Sequence, residues 1–164
     1  MTTRTRMKQL DPIQRSAVFS PCRTYRYSLS RHWAPKRGYA LFIGLNPSTA
    51  DELQDDPTIR RCVRFAKDWG YGGMVICNLY AFRATDPKVM MAANDPVGPL
   101  NDDWICRFSG EARVVVAAWG VGGRFGYRGH DFTFPTMYCL GRTKEGYPRH
   151  PLFVRADTKL ELYV

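Results

Sequence analysis

The chain has 164 residues and a formal net charge of +9, with 45% apolar and 13% aromatic residues. That length fits one domain with a core of its own, and the composition excludes a disordered chain. No run reaches the ~18 apolar residues of a membrane-crossing helix. Residues 1–9 are polar and basic, without the apolar segment of a secretory leader. The expectation is a cytoplasmic protein with no membrane attachment.

The elements follow in chain order. Residues 1–20 show weak periodicity and read as a partly ordered basic arm, leaving residues 21–164 as a single α/β domain. Tyr25, Tyr27 and Leu29 alternate with Arg26, Ser28 and Ser30, the pattern of a half-buried strand. Residues 39–44 are nearly all apolar, as in a central strand covered on both faces. Asp56 can cap a helix and Pro57 suits its first position. Ile59, Cys62, Val63, Ala66 and Trp69 then form one stripe, and Gly70 is a natural stop.

Residues 74–77 form a second buried strand ending at Asn78, and Asp86-Pro87 starts a short helix through about residue 93. Residues 99–108 form a further helix, with Leu100, Trp104, Ile105 and Phe108 facing inward and Gly110 ending it. Residues 113–119 make a third strand, 120–129 a glycine-rich loop or frayed helix, 135–140 a fourth strand and 159–164 a tail. Strands separated by helices imply crossovers. The expected fold is α/β, a three-layer αβα sandwich whose mainly parallel central sheet has about four strands plus an N-terminal edge strand.

Five cysteines are scattered without a C-x-x-C pair, each among apolar neighbours, and read as reduced core residues. Three histidines show no metal-ligand spacing. Neither G-x-G-x-x-G, a P-loop nor a G-x-S-x-G elbow occurs. No metal and no cofactor is expected. The basic charge favours a nucleic-acid or nucleotide partner, and oligomeric state is not legible.

In a sheet of this kind, sites form outside the carboxyl ends of the strands. The first such segment holds Gly44, Asn46, Pro47 and Ser48. Asn46 can orient a water or hydrogen-bond a substrate, since an amide both donates and accepts; it can equally be a turn-former before proline. Asp51 and Asp55 follow as candidates for a general base, with Asp56 as a cap. Arg60 and Arg61 come next. The second segment holds Asn78, suited to reading a base edge. Tyr80 and Phe82 are suited to stacking on a nucleobase or to core packing. Arg83 is suited to phosphate or carboxylate. The last holds His150 between Arg149 and Pro151.

From about residue 22 onward the chain resembles an uncharacterised family known as domain of unknown function 1643. The likeness is carried by Leu45-Asn-Pro-Ser-Thr-Ala-Asp51, Asp55-Asp-Pro-Thr-Ile-Arg-Arg61, Trp69-Gly70 and Asn78-Leu-Tyr-Ala-Phe-Arg-Ala-Thr-Asp-Pro87. Asp95-Pro-Val-Gly-Pro99, Trp119-Gly120 and His150-Pro-Leu152 complete it. More distantly, the motif order is similar to that of the uracil-DNA glycosylase superfamily. Those enzymes have G-x-[DN]-P after the first core strand, an asparagine at the end of the next and a late H-P. That resemblance implies a uracil-DNA-glycosylase-like fold, with Asn46 positioning the attacking water, Asn78 recognising the base and His150 stabilising the departing base. The chain departs from it at Leu152, where serine is usual, and at Ser48, where glycine or tyrosine is usual.

Three functions are therefore expected alternatives. The first is an N-glycosidase-like hydrolase, with Asn46, Asp51, Asp55 and His150 as catalytic residues. Its substrate would be bound by Gly44, Pro47, Ser48, Asn78, Tyr80, Phe82, Arg83, Arg60 and Arg61. The second is a non-catalytic module binding a nucleic acid or nucleotide. The third is an assembly protein with a vestigial pocket, in which Arg60, Arg61 and Arg83 form structural ion pairs with Asp51, Asp55 and Asp86.

Overall fold

The computed structural model describes residues 12–131, 134 and 136–164. Its strands are β1 (Gln14–Phe19), β2 (Arg26–His32), β3 (Ala40–Gly44), β4 (Gly73–Asn78), β5 (Val114–Ala117), β6 (Tyr138–Cys139) and β7 (Glu161–Leu162). The helices are α1 (Pro57–Asp68), α2 (Pro87–Met91), α3 (Asn101–Glu111) and the single turn α4 (Arg128–Asp131). One sheet has the order β1-β2-β4-β3-β5-β6-β7.

The expected α/β class holds, and the expected mainly parallel sheet is corrected to a mixed one. β4, β3, β5 and β6 run parallel in the middle. The β1–β2, β2–β4 and β6–β7 pairings at the two sides are antiparallel. For β1–β2 the connection decides the direction: six residues cannot hold the crossover that a parallel neighbour requires. The strand expected at the N-terminal edge is β2, which lies one place inside. β1 covers it, from a stretch whose first half is exposed and carries no apolar alternation. Residues 1–11 of the expected arm lie outside the described residues, as does Pro135 at the start of the fourth expected strand.

The two faces of the sheet separate cleanly. Phe42, Met74, Ile76 and Val116 pack on one side against Ile59, Cys62, Phe65 and Ala66 of α1. Leu41, Ile43, Val75, Cys77 and Val115 pack on the other against Met90 of α2 and Ile105 of α3. Central strands buried on both faces thus account for the continuous apolar runs. Asp56 Oδ1 accepts the Ile59 amide at 2.9 Å and Pro57 opens α1, while Gly70, at φ +86°, ends it. Trp69 stacks on Phe42 and Phe65 at 5.8 and 5.3 Å between ring centres.

Some local expectations change. β2 is buried along nearly its whole length instead of on one face. Val18 pairs with Ser28 but Phe19 with Arg26, so Tyr27 is an extra residue on β2. Such a bulge re-aims side chains. It puts Arg26 on the α1 side together with Leu29, where strict alternation would not. Leu100 is exposed, and α3 runs past Gly110 to Glu111. Cys22 and Cys106 are exposed, while Cys62, Cys77 and Cys139 are buried thiols. Among the described residues no helix is long and apolar enough to cross a membrane, and no group of three metal-ligating side chains occurs.

Two glycines with opposite surroundings test this packing. A Cβ at Gly72 would lie 1.6 Å from the Ala34 carbonyl oxygen, which belongs to backbone held by Trp33 and Ala34 amides bonded to the Gly72 carbonyl. A Cβ at Gly110, within α3, meets nothing within 4 Å. Thermal denaturation should show Gly72→Ala strongly destabilised or insoluble. Gly110→Ala should be more stable by about 0.5–1 kcal/mol, because alanine is the better helix former.

Candidate functional site

The parallel pairing of β3 with β4 sets Gly44 beside Asn78 at the carboxyl edge of the sheet. The pairing continues into the loops. Leu79 N–H bonds to the Gly44 carbonyl at 2.9 Å, Tyr80 N–H to Leu45 at 3.0 Å and Ala84 N–H to Pro47 at 2.9 Å. Asn46 Nδ2 donates to the carbonyls of Ala84 at 2.8 Å and Pro47 at 3.2 Å. Two carbonyl partners fix the orientation of that amide, so its Oδ1 is the group left to accept a hydrogen bond. From the opposite face, Asn101 of α3 donates to the carbonyls of Asn78 and Leu79 at 2.8 and 3.1 Å, anchoring the end of β4.

These loops line one cleft of about 470 Å³. Its floor is Gly44, Asn78, Ala118 and Trp119; its walls are the Asn46–Thr49 turn, the first turn of α1 and the His150-Pro151-Leu152 turn. Asn46, Asn78 and His150, drawn from three distant stretches of sequence, all line it. Gly44 is required for close approach and not for its backbone angle. A Cβ there would come within 2.7 Å of Asn78 Oδ1, so any side chain would displace the amide.

His150 Nδ1 accepts the Leu152 amide at 3.1 Å and so caps the Pro151–Phe153 turn. In the neutral ring the proton then sits on Nε2. Burial lowers the His150 pKa, opposed by the charge of Asp56, which favours this neutral donor form. The turn is held to α1 by Arg61, which donates from Nε to the Pro151 carbonyl at 3.1 Å and from Nη2 to that of Val154.

The other expected site residues are placed as follows. Pro47 and Ser48 line the cleft. Asp51 does not: its Oδ1 accepts the amides of Leu53 and Gln54, both at 2.8 Å, which makes it a turn-builder and lowers its pKa. Asp55 also lies outside, paired to Arg31 at 2.9 Å and Arg15 at 3.3 Å. The carboxylate in the cleft is Asp56, expected only as a cap. Tyr80 bonds to the Phe125 carbonyl behind the cleft, and Phe82 packs edge-on against Tyr25.

Phe82 and Arg83 line a shallow depression beside the cleft, with Arg23 and Thr24. Arg83 donates to the carbonyls of Ser48 and Arg23 at 3.4 and 3.3 Å. Arg60 is exposed and donates to the Asp55 carbonyl at 3.2 Å. The ion pairs expected of Arg60, Arg61 and Arg83 with Asp51, Asp55 and Asp86 are therefore not formed among the described residues; carbonyls take these guanidinium groups instead. Arg26, read from sequence as the polar side of a half-buried strand, lines the cleft at 2% exposure. Its arginine type amid serines was the available signal, and the bulge that redirects it was not legible.

Residues 26–152 match the model of a family described as Protein of unknown function (DUF1643), and the chain belongs to that family. Neither the curated proteins nor the solved structures contain a match to it.

His150 and His32 both have pKa values lowered from 6.5 by burial. The unfolded chain therefore holds more protons than the folded one from about pH 6.5 downward, until the folded values are reached. In that window stability falls as pH falls. Melting temperature should drop between pH 7 and pH 5, and His150→Gln and His32→Gln should each remove part of the drop. An unchanged slope in the double variant would contradict the assignment.

Proposed function

We propose that the cleft binds a nucleobase, within a nucleic acid or nucleotide, and that the groups around it hydrolyse the N-glycosidic bond. The observation that carries this reading is the convergence of Asn46, Asn78 and His150 on one ring-sized cleft at the strand ends. The motif order is similar to that of the uracil-DNA glycosylase superfamily, and the three-layer arrangement of α1 and α2–α3 about the sheet is compatible with a fold of that kind.

In the proposed chemistry Asn78 hydrogen-bonds the base and Asn46 Oδ1 orients a water. Asp56 supplies the carboxylate that Asp51 and Asp55 do not, through Oδ2, which has no protein partner among the described residues. The carbon–nitrogen bond breaks with its electron pair leaving on the base, and the His150 Nε2–H stabilises that anion. The water oxygen bonds to the sugar carbon and its proton passes to Asp56. Donors set in advance where charge develops are the main source of rate in such a step.

Purified protein should release a base from single-stranded or duplex DNA in a panel of damaged and modified bases, read by chromatography of the free base. His150→Ala and Asp56→Asn should each lower the rate at least about a hundredfold, as loss of one aligned donor or proton acceptor does elsewhere. Neither release nor binding across the panel would end this reading. A second reading, binding without turnover, is favoured by the engagement of Asp56 as the α1 cap. It requires that no form of the protein turns over and that binding survives alanine at Asn46 and Asp56.

Leu152 and Phe153, at the rim, are 42% and 79% exposed, and the Phe153 ring lies 5.5 Å from that of His150. Apolar side chains in that position can fill the gap left by an extracted base. Alanine at both should weaken binding to duplex DNA and leave single-stranded binding nearly unchanged in a paired titration.

A further inference from the structure

Two arginines on β2 are equally buried and differently satisfied. Arg31, 1% exposed, lies 2.9 Å from the Asp55 carboxylate and also donates to the carbonyls of Ser30 and Asp51, at 2.9 and 2.6 Å. The Arg26 side chain, on a residue 2% exposed, makes one hydrogen bond among the described residues, from Nη1 to the Ala50 carbonyl at 2.9 Å. Its Nε has no partner, and it joins no ion pair among the described residues. Asn78, also 2% exposed, lines the same cleft, and its Nδ2 is likewise without a partner.

A buried cation left uncompensated is costly, and buried charges are normally paired. Burial brings the Arg26 guanidinium down to about 10, with the charge of Asp56 opposing. It therefore remains a cation at neutral pH. The buried Cys77 thiol, pushed up to about 12, is no counterion. Among the described residues no carboxylate forms an ion pair with Arg26, and it lines a cleft open to ligand.

We infer that the inner end of the cleft is an oxyanion site, in which Arg26 supplies the charge and Asn78 Nδ2 a neighbouring donor. The ligand it fits has a buried end carrying a carboxylate, a deprotonated ring oxygen or a phosphate, and about 470 Å³ leaves room for a heterocycle with it. Guanidinium has donors and no acceptor, so an exocyclic amino group placed there would meet no partner. This inference rests on the reading of the cleft as a ligand pocket, and it does not require the ligand to be a nucleobase.

Calorimetric titration of the full chain at pH 7.5 tests it with five probes: orotate, urate, inorganic phosphate, uracil and adenine. At least one anionic probe should bind about tenfold or more tighter than uracil, the contribution expected of a charge-assisted contact. Arg26→Gln should remove that preference. Asn78→Asp should also remove it and raise the melting temperature, by giving Arg26 a carboxylate inside the protein; it decides the matter alone if Arg26→Gln fails to fold.

Orotate or urate binding would support both this site and the nucleobase reading. Phosphate binding alone would support the oxyanion site and sink the nucleobase reading. Uracil or adenine binding as tightly as the anions would overturn the oxyanion site while the nucleobase reading stands. An anion preference that survives both variants would also overturn it, and no binding by any probe would overturn both.

Discussion

The parallel register that sets Gly44 against Asn78 is the constraint on which the rest of the site depends. Strand pairing usually ends with the strands, but here it runs on through Leu45 and Pro47, so two loops behave as one extension of the sheet. Asn46 is then oriented by carbonyls on both loops. Asn78 approaches backbone that only a glycine at position 44 leaves open. Loops that are free to move hold donors poorly, whereas these leave buried strands and are fastened to each other by backbone hydrogen bonds.

Arginine chemistry complements this. The +9 charge suggested a surface waiting for a polyanion, yet several guanidinium groups are struts that bind backbone carbonyls. Arg61 ties the His150 turn to α1, Arg83 ties two loops together, and Arg31 holds the stretch that leads to the α1 cap. Each satisfies carbonyls that irregular backbone leaves without partners, since short loops cannot pair them internally. Arg23 and Arg83 also lie over the Phe19 ring, at 3.8 and 4.8 Å. The positive character beside the cleft is thus built into the structure around it. Against this background Arg26 stands apart, as a buried cation turned towards a cleft with little to bind.

Much of the framework was legible because it rests on local physics. The apolar runs at 39–44 and 74–77 can be buried strands and little else, and Asp56-Pro57 with a stripe at helical spacing marks α1. Asn46 and Asn78 were recognisable because they stand at the carboxyl ends of such strands, and His150 because it opens a late His-Pro pair. The sheet's antiparallel sides were not, since β1 and β7 are short or exposed and are held by partners instead of by their own pattern. Nor was the choice among carboxylates. Asp51, Asp55 and Asp56 are near neighbours with the same chemistry, and only the path of the chain decides which of them faces the cleft.

From the order of residues alone come the element types, the buried strands and the rule that polar strand ends gather on one edge, because these follow from periodicity and chain connectivity. The tertiary structure decided which groups share a cavity and which are used up before a ligand arrives. Asp51 and Arg61 spend their polar atoms on backbone, whereas Arg26 keeps its Nε and Asn78 its Nδ2. For Arg61 and Arg26 that distinction depends on contacts between residues far apart in the chain and on one bulge in β2, and neither leaves a periodic signal in the sequence.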